Sequence, residues 1–449
     1  MQRLPLRNLG QLNEWCEEHG IQLTGHMLFE EWTNPVGVEG DLMKVFREQA
    51  IPGVDVISNY GYSQEAYKVI SSSAYNWDKG KVMSESFGVF GDKTMNSIYK
   101  SAMDQFAKGI NLIIPHAVWY DDDPQYVTYV PELSYRDENY GPHLRELGDY
   151  LARSQTLLQE GRHVADIAML YPIDDLEAAF LFNGDVNNPE HANYMQVSEL
   201  LSLTARRDFT YLHPDVLADS CTVEGDTLRL NNAVNFEEYK VFVLPGCKVI
   251  DLASLQKIKD FYDAGGKVIA ASQLPYKGTN PEDDEAVQAI IEEMFGVDPL
   301  NPPASTGPVY SSSSNYSSNY AADMAFDGQL GETSRWNATD GPDQWLEVEF
   351  PEAVTVDRTV ITERYDRVTG YEIQYYDEAS GQWVTCCTGD RLGAGKEDRF
   401  EPVTTKRLRL YISGVSVNSV SIEEFEVYGG DSGNLALDTT GLAPARENA

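Results

Sequence analysis

Residues 81–117, with the sequence KVMSESFGVFGDKTMNSIYKSAMDQFAKGINLIIPHA, contain the repeating unit that decides the fold of the first third of the chain. An apolar run ending in SES precedes the helical segment MNSIYKSAMDQFAKG, and a second apolar run, GINLIIPHA, follows that segment. Apolar strands that alternate with helices predict a parallel α/β sheet. Gly109 suits the position after the helix, because glycine readily adopts the left-handed conformation found there.

Two similar apolar runs, GIQLTGHML (20–28) and GVDVIS (53–58), precede this unit. In every unit, polar and aromatic residues follow the strand directly, which is where a (β/α)8 barrel places its catalytic residues. Residues 1–160 contain only four such strands, whereas a closed barrel needs eight. We therefore predict a partial (β/α)8 barrel, the C-terminal half of a TIM-barrel-like domain, so that the chain begins in the middle of a barrel.

Three further regions follow this partial barrel. Residues 163–300 alternate strands and helices again, as in YKVFVLPG followed by LASLQKIKDFYDAGG, and predict a small doubly wound α/β domain. The stretch 301–312 is rich in proline and polar residues and predicts a linker. Residues 313–430 contain period-two strands such as QWLEVEF and YEIQYYD, which predict an antiparallel β-sandwich. The tail, residues 431–449, is short and lacks a core of its own.

The charge of the chain restricts its partners. With 34 Lys and Arg against 71 Asp and Glu, the formal net charge of the 449 residues is −37. Such a surface repels phosphate backbones and anionic membranes, so we expect neither nucleic acid nor a membrane as a partner. No stretch approaches the ~20 consecutive apolar residues of a transmembrane helix. The N-terminus lacks the apolar segment of a signal peptide.

The five cysteines are scattered and form no CxxC pair, so they predict neither a disulfide framework nor a zinc site. Cys386 and Cys387 are adjacent in a predicted strand. Because neighbours along a strand point to opposite faces, we expect one of these thiols to be buried and the other exposed.

The segment TGHMLFEEW is the first candidate for catalysis. If residues 22–30 form a strand, then Thr24, His26, Leu28 and Glu30 lie on one of its faces. A histidine and a glutamate at the C-terminal end of a barrel strand can perform acid–base chemistry. The alternative, a core histidine beside a solvated loop carboxylate, fits this motif equally well.

Glu85, in VMSESFGVFG, is the second candidate. It ends an apolar run, and a carboxylate that is desolvated there acquires the raised pKa that a general acid requires. Alternatively, Glu85 caps a neighbouring helix. Two carboxylates on different strands of one barrel face are the groups used in glycoside hydrolysis, so Glu30 and Glu85 are our candidates for the catalytic pair. The sequence gives no distance between them and leaves inversion or retention open.

The segment IIPHAVWYDDDP places His116, Trp119, Tyr120 and Asp121 after the fourth strand. Aromatic side chains beside carboxylates suit a sugar, whose C–H face stacks on a ring and whose hydroxyls need acceptors. With His26, these four residues are our candidates for sugar binding. A plain acidic loop is the alternative for the aspartates.

Residues 1–160 resemble the second half of the barrel in glycoside hydrolases similar to family 106, the α-L-rhamnosidase-like enzymes. The resemblance rests on GIQLTGHMLFEE, GDLMKVFREQAIPGVDVIS, KVMSESFG and NLIIPHAVWY. It carries a GHxxxE pattern onto His26 and Glu30 and an SE pattern onto Glu85. It implies catalytic or calcium-linked carboxylates at these positions and a further acidic residue in the first half of the barrel. It also implies that residues 163–300 are a flavodoxin-like domain.

Residues 313–430 resemble the coagulation factor 5/8 type C (discoidin) domain, a jelly-roll β-sandwich shared by family 32 carbohydrate-binding modules. The resemblance rests on AADMAFDGQLGETSRWNA, DQWLEVEF, DRVTGYEIQYYD and SIEEFEVYG. It implies a structural calcium ion at Asp327, Thr333 or Ser334, and Glu424, although an ordinary Asp-Gly turn is the alternative at Asp327. We interpret Trp336 and Trp345 as core residues rather than as a sugar platform. The tail resembles the opening strand of another such module.

Our leading hypothesis is therefore a fragment of a multidomain glycoside hydrolase that acts on an oligo- or polysaccharide and is extracellular or at the cell surface in the full-length protein. The alternative is a carbohydrate-binding protein without catalysis that carries a remnant barrel. Because four strands cannot close a barrel, we expect the 449-residue chain to be weakly active or inactive. We also expect its open sheet edge to favour self-association.

Overall fold

The computed structural model describes residues 3–28, 30, 34–56, 63–88, 93–121, 123, 131–181, 189, 191–301, 307–317, 320–331, 334–339, 341–417, 419–430 and 432–437. The chain divides into two compact units, Met1–Pro302 together with the last two residues, and Pro303–Glu447. Among the described residues, no helix is long and apolar enough to cross a membrane.

The first unit opens with strands and helices in alternation. The strands are β1 (Thr24–Gly25), β2 (Ile51–Val56), β3 (Met83–Ser86) and β4 (Leu112–Pro115). The helices are α1 (Arg3–Glu18), α2 (Leu42–Arg47), α3 (Ser63–Asn76), α4 (Met95–Ala107) and α5 (Leu144–Gln159). The strands form one parallel sheet in the order β1-β2-β3-β4. The predicted parallel half-barrel sheet is therefore confirmed.

The first strand is shorter than the sequence predicts. Only Thr24 and Gly25 pair with β2, opposite Ile51 and Pro52. Pairing ends at Gly25, whose φ of +153° favours glycine and turns the chain out of the regular strand conformation. The prediction that residues 22–30 form one strand with His26 and Glu30 on one face is wrong.

The alternation of side chains along β2 and β3 decides which residues face the helices. Val54 is buried, and the hydroxyl of Ser84 lies 2.5 Å from the side-chain oxygen of Gln105 on α4. The side chains that follow them, Asp55 and Glu85, therefore point to the opposite face of the sheet.

Gly109 follows α4 in the position that the sequence predicts. Its φ is +98°, a conformation that favours glycine. A Cβ atom at this position would lie 2.3 Å from the hydroxyl oxygen of Tyr75 and 2.7 Å from the Cβ of Ser71. Both the backbone conformation and the close approach of α3 therefore require glycine here.

Where the structure describes them, residues 163–300 add nine strands and five α-helices. The strands are β5 (Ile167–Leu170), β6 (Thr210–Leu212), β7 (Cys221–Glu224), β8 (Thr227–Leu230), β9 (Glu237–Tyr239), β10 (Val241–Leu244), β11 (Val249–Ile250), β12 (Lys267–Ala270) and β13 (Lys277–Gly278). The helices are α6 (Ile173–Ala179), α7 (Tyr194–Glu199), α8 (Pro214–Ser220), α9 (Leu252–Asp263) and α10 (Asp284–Phe295). The main sheet is parallel, in the order β12-β10-β5-β6, and β7, β8 and β9 form a small antiparallel sheet that the sequence did not predict.

Helix α3 joins the two parallel sheets of the first unit. The side-chain amide of Asn76 donates to the carbonyl of Tyr211 at 2.7 Å and accepts from the amide of His213 at 2.9 Å. His213 Nε2 also lies 2.8 Å from Oδ2 of Asp41, which caps α2. One hydrophobic core contains residues from both sheets, including Val54 and Met169. The two sheets are thus packed together rather than linked loosely.

The second unit is an antiparallel β-sandwich, as the sequence predicts. Its strands are β14 (Val309–Ser312), β15 (Trp336–Asn337), β16 (Gln344–Glu363), β17 (Val368–Asp377), β18 (Gln382–Gly389), β19 (Lys396–Val415) and β20 (Ser421–Tyr428). They are ordered β15-β20-β16-β19-β17-β18, and β14 pairs with β16. Strand β14 thus lies within the segment interpreted as a linker.

The sandwich core contains one of the two tryptophans expected there. Trp336 is fully buried and its indole N–H donates to the carbonyl of Ser314 at 2.9 Å. Trp345 is only half-buried, since it lies on the face of β16 opposite the buried Leu346. In the tail, Ala436 is buried in the same core and accepts a hydrogen bond from the Tyr310 hydroxyl at 2.6 Å.

The two adjacent thiols, Cys386 and Cys387, are both half-buried, so the expectation of one buried and one exposed thiol is wrong. Cys387 pairs with Ile373, whereas the next residue, Gln374, pairs with Thr385. Cys386 is therefore the extra residue of a β-bulge, which interrupts the alternation of faces. Both side chains pack against the sandwich core.

Candidate functional site

The candidate site lies at the ends of the first three strands of the half-barrel sheet. Asp55 of β2 is in register with Glu85 of β3, and Glu85 is in register with Ile114 of β4. His26 follows β1 directly. The side chain of Ile114 is 43% exposed on this face. The carboxyl ends of parallel strands thus bring these groups to one open edge, where such sheets hold their ligands.

His26 lies between the two predicted catalytic carboxylates. Its Nδ1 is 3.6 Å from Oε1 of Glu30, and its Nε2 is 3.4 Å from Oε2 of Glu85. Both carboxylates therefore contact one imidazole ring, and the distance between them is below about 10 Å, the upper range for the acid and base of inverting glycosidases. The structure brings together three of the residues that the sequence singled out.

The two carboxylates differ in their access to solvent. The side chain of Glu30 is fully buried, and its Oε1 accepts a hydrogen bond from the amide of Asp55 at 2.6 Å. The side chain of Glu85 is 30% exposed. Glu85 and His26 can therefore touch a molecule at the open face, whereas Glu30 lies behind them. Glu85 contacts His26 and does not cap α4, whose N-cap is Thr94.

A hydrogen bond determines which nitrogen of the His26 imidazole carries a proton. Its Nδ1 lies 2.7 Å from the carbonyl oxygen of Met27. Because a carbonyl only accepts, Nδ1 carries a proton, and Nε2 is left facing Glu85. Burial disfavours the charged ring and acts to lower the pKa of His26. The Met27 carbonyl and three nearby carboxylates outweigh burial and raise that pKa above its ordinary value. The carboxylates belong to Glu30, Asp55 and Glu85.

Asp55 is a site residue that the motif analysis missed. Asp55 lies on the middle of the three strands, and the charge of its carboxylate helps to raise the pKa of His26. Its backbone amide donates a hydrogen bond to Glu30. The signal was present in the sequence, because Asp55 is the polar residue between Val54 and Val56 in an otherwise apolar strand. Strand alternation alone places this side chain on the face opposite the buried valines.

The predicted sugar-binding residues after β4 are only partly assembled. The amide of His116 donates to the carbonyl of Ser86 at 2.7 Å, which holds this loop beside Glu85. The His116 and Trp119 rings meet edge to face, with centroids 5.6 Å apart. Tyr120 is fully exposed, and Asp121 is exposed and accepts a hydrogen bond from the amide of Asp123 at 3.0 Å; no contact with Glu30 or Glu85 is found for either within the described chain.

Asp327 and Glu424, two of the predicted calcium ligands, interact electrostatically in the sandwich. Oε2 and Oε1 of Glu424 accept from the amide of Gly328 at 3.1 and 3.3 Å, and the hydroxyl of Ser334 donates to Asp327. Burial and the charge of Asp327 raise the pKa of Glu424 to about 8, and burial raises that of Asp327. Thr333 lies outside the described residues.

Gly328 has a φ of +75°, a conformation that also fits the alternative, an ordinary Asp-Gly turn at Asp327. Within the described part of the chain, no group of three or more His, Cys, Asp or Glu side chains is arranged to hold a metal ion. A cation here would therefore need hydroxyl and carbonyl oxygens beside the two carboxylates. Such hard oxygen ligands are the ones that calcium prefers.

Comparison with known proteins gives related matches for both units. The family model for alpha-L-rhamnosidase, glycosyl hydrolase 106, matches residues 55–338, and that for the F5/8 type C domain matches residues 309–425. A putative beta-glucuronidase of Formosa agariphila is 26% identical over 289 residues, which are 62% of this chain and 22% of that protein. The chain thus spans about a fifth of the length of this curated relative.

Two solved structures illustrate the likeness. A rhamnosidase from Novosphingobium sp. PP1Y is 16% identical, with a TM-score of 0.49 over 92% of this chain and 39% of that chain. Chitosan-binding module 1 of a chitosanase/glucanase from Paenibacillus sp. IK-5 is 30% identical, with a TM-score of 0.25 over 27% of this chain and 96% of that chain. The glycosyl hydrolase model matches residues 55–338, which are well over half of this chain. The chain therefore belongs to the alpha-L-rhamnosidase family, glycosyl hydrolase family 106.

Proposed function

We propose that the open edge of the half-barrel sheet is part of a glycoside hydrolase active site in which Glu30, His26 and Glu85 act as one acid–base unit. The observation that supports this proposal is the single imidazole in contact with two carboxylates from different segments of one sheet edge. Paired carboxylates are the groups with which most glycosidases cleave the glycosidic bond. Asp55 holds the buried member of the pair.

The difference in access assigns different tasks to the two carboxylates. Glu85 reaches the open face, so we assign it the direct proton transfer at the glycosidic oxygen or at the attacking water. Glu30 is buried and acts through His26, whose ring it orients and whose positive charge it favours. His26 can then present Nε2–H to Glu85 or to a sugar oxygen. Glu30 and Asp55 are positioning residues in this scheme.

We place the sugar ring beside the loop that follows β4. His116 and Trp119 form an edge-to-face aromatic pair on this loop, and the loop is tied to β3 through the carbonyl of Ser86. An aromatic ring stacks on the C–H face of a sugar. Tyr120 and Asp121 are exposed on the same loop and complete the proposed subsite.

The substrate class that we propose is an α-L-rhamnoside within an oligo- or polysaccharide, as the family name suggests. The test is hydrolysis of the 4-methylumbelliferyl α-L-rhamnoside by the full chain at high protein concentration, with the β-D-glucuronide as a second substrate. We expect a low rate, because four strands enclose a sugar poorly. Replacing Glu85 by Gln should lower this rate by at least about 10²-fold, the usual contribution of a general acid or base.

The matched control is Glu146→Gln, an exposed glutamate in the first turn of α5. It removes the same charge and should leave the rate unchanged. Equal rates for the wild type and Glu85→Gln would rule out the acid–base role of Glu85. No turnover by the wild type on either substrate would match the inactivity expected of four strands, and the titration of His26 in Glu85→Gln would then test the acid–base unit.

For the second unit, we propose carbohydrate binding and a structural calcium ion. The sandwich belongs to a domain type found in carbohydrate-binding modules, one of which is described as binding chitosan. Asp327, Ser334 and Glu424 would hold the ion, because a cation offsets the burial and the charge of Asp327 that together raise the pKa of Glu424. A glycosidase with such a module acts on polysaccharides, so we propose an extracellular or cell-surface location for the full-length protein.

We also propose the finer fold assignments. The order β12-β10-β5-β6 is the flavodoxin-like order 4-3-1-2, in which the first strand lies between the second and the third. The half-barrel sheet would be part of a closed (β/α)8 barrel, since its polar side chains gather at the carboxyl ends of its strands, as in such barrels.

A further inference from the structure

A cluster of arginine and tyrosine side chains lies at one end of the sandwich. We name it the Arg335 cluster, and its members are Tyr320, Arg335, Arg364, Tyr365 and Arg367. Arg335 directly precedes β15, and residues 364–367 connect β16 to β17. Trp336 and Glu363 both pair with Ile422 of β20, which brings these two segments to the same end of the sheet.

Arg335 is a buried cation with unused donors. Its side chain is only 7% exposed, and its guanidinium carbon lies 4.5 Å from the ring centroid of Tyr320 and 5.7 Å from that of Tyr365. Its Nε and Nη1 are buried, and neither has a hydrogen-bond partner in the described parts of the chain. Burying a charged group without an acceptor is costly, so this position suits an acceptor from another molecule.

The other two arginines of the cluster already have acceptors. Nη1 of Arg364 lies 2.8 Å from Oε1 of Glu423, and Nη1 of Arg367 donates to the carbonyl and hydroxyl oxygens of Ser419, both at 3.2 Å. Both guanidinium groups also lie against the Tyr365 ring, at 5.9 and 4.3 Å from its centroid.

The acidic side chains at this end have partners other than Arg335. Asp366 pairs with Arg391, and Glu423 pairs with Arg364. Oε1 of Glu363 accepts the backbone amides of Arg367 and Val368, at 2.6 and 3.0 Å. With Arg391 included, four arginines lie beside three acidic side chains here, an excess of one positive charge, although the chain as a whole carries −37.

The Tyr365 side chain is 42% exposed and offers a ring beside this charge. A planar guanidinium binds a carboxylate through two parallel hydrogen bonds, and an aromatic ring stacks on the C–H face of a sugar. We propose that the Arg335 cluster binds a uronic acid residue of a polysaccharide, with its carboxylate on Arg335 and its ring against Tyr365. This inference rests on the proposed carbohydrate-binding function of the sandwich and adds the class of sugar.

The test is isothermal titration calorimetry of the full chain with trigalacturonate and trimannuronate, each compared with its carboxyl-reduced, neutral counterpart. We expect at least one acid to bind at least about tenfold tighter than its neutral counterpart, as a charge-assisted pair would provide. Replacing Arg335 by Gln should remove this preference. Replacing Tyr365 by Ala, a surface change, should weaken both the acid and the neutral sugar.

Arg399→Gln is the matched control, because Arg399 is 69% exposed and lies on β19 beside Glu397. It removes the same charge and should preserve the preference for the acid. An equal loss in both arginine variants would show that only net charge matters and would overturn the proposal. Equal binding of acids and neutral sugars by the wild type would overturn the uronate class alone. No binding of any sugar would overturn the carbohydrate-binding function itself.

Discussion

His26 and His163 each lie between two carboxylates in the first unit, His26 at the carboxyl ends of the first sheet and His163 at the amino ends of the second. The His26 nitrogens are 3.6 and 3.4 Å from the oxygens of Glu30 and Glu85. The His163 nitrogens are 2.5 and 2.7 Å from those of Glu237 and Asp208. The contacts between histidine and carboxylate are thus longer at His26 than at His163.

The His163 network is also closed by further groups. Nζ of the buried Lys68 lies 2.5 Å from Oδ1 of Asp208, and the Tyr75 ring stacks on His163 with centroids 4.4 Å apart. Burial alone would raise the pKa of Asp208, but His163 and Lys68 hold that pKa well below its ordinary value. Every charge in this network therefore has a partner within hydrogen-bond distance.

The difference between the two regions supports a structural role for the His163 network and the proposed acid–base role for the His26 site. Amino ends of parallel strands serve stability, whereas carboxyl ends hold ligands. Short contacts and a buried lysine give each member of the His163 network a close partner. The contacts of the His26 site are longer and Glu85 is partly exposed, and catalytic contacts are often long before substrate binds.

Breaking the closed network should have the largest effect on stability. Glu237→Gln removes the charge of a side chain that is fully buried beside His163 and accepts from the Thr210 hydroxyl at 2.7 Å. Removing one partner of a buried ion pair costs about 3–5 kcal/mol. We expect this loss in the free energy of unfolding of the first unit, measured in urea by circular dichroism at 222 nm, since the described α-helices all lie in that unit.

The neighbouring Glu238 provides the control. Its side chain is 56% exposed and lies 3.8 Å from Arg229, so Glu238→Gln should cost no more than about 1 kcal/mol. Equal costs for Glu237→Gln and Glu238→Gln would contradict the structural role of the His163 network.

Asp327 and Glu424 extend the comparison to a carboxylate pair without a histidine between them. The pKa of Glu424 is raised to about 8, mainly by burial and then by Asp327. Without a cation, the folded sandwich therefore keeps a proton on Glu424 at pH values where the unfolded chain has lost it. In a chelator, the stability of the sandwich should therefore fall as the pH rises from about 5 to 8. Calcium at one hundred times its Kd should restore about 2.7 kcal/mol.

The measurement is the melting temperature of the sandwich transition in the full chain, with calcium or with a chelator, at both pH values. Asp327→Ala should abolish the effect of calcium, and Glu424→Gln should remove the fall in stability at high pH in the chelator. Glu349→Ala, a change of a 55% exposed side chain on the part of β16 that pairs with β19, should preserve both effects. A melting temperature that is indifferent to chelation would leave Asp327 as a turn residue.

The next largest expected effect is the pH dependence that His26 gives to the stability of the first unit. Its pKa lies above the ordinary value of about 6.5, so the charged ring stabilises the fold fully below that pH, and this contribution is lost as the pH rises through the raised pKa. Glu85→Gln should lower the pKa of His26, measured by NMR of the imidazole nitrogens. The same variant should reduce the stability of the first unit more at pH 5 than at pH 8.

Glu146→Gln is the matched variant in this titration and should leave the pKa of His26 unchanged. If Glu85→Gln also leaves it unchanged, the contact between His26 and Glu85 is absent in solution. This result would remove the basis of the acid–base unit without any measurement of turnover.

The sequence predicted the elements that depend on short-range patterns. The alternation of apolar strands and helices located β2, β3 and β4, and period-two patterning located the sandwich. It failed where local backbone geometry decides the outcome, since the pairing of β1 ends at Gly25 and a bulge at Cys386 places both adjacent thiols against the sandwich core. The site was found from residue types at strand ends, but the burial of Glu30 depends on packing that no local pattern contains.

Tyr120, on the loop after β4, has the smallest expected effect on stability, and Tyr75, which stacks on His163, is its buried counterpart. Tyr75 is 6% exposed and stacks on His163, so Tyr75→Ala should cost about 3–5 kcal/mol, as other buried aromatic truncations do. Tyr120 is fully exposed on the loop after β4, and Tyr120→Ala should change the free energy of unfolding by less than about 0.5 kcal/mol. If Tyr120 is a sugar platform, the same variant should raise KM for the glycoside and leave kcat unchanged, because stacking on a ring that does not react stabilises substrate and transition state alike. A large loss of stability would show that Tyr120 belongs to a packed loop, and an unchanged KM would remove it from the proposed subsite while leaving His116 and Trp119 in place.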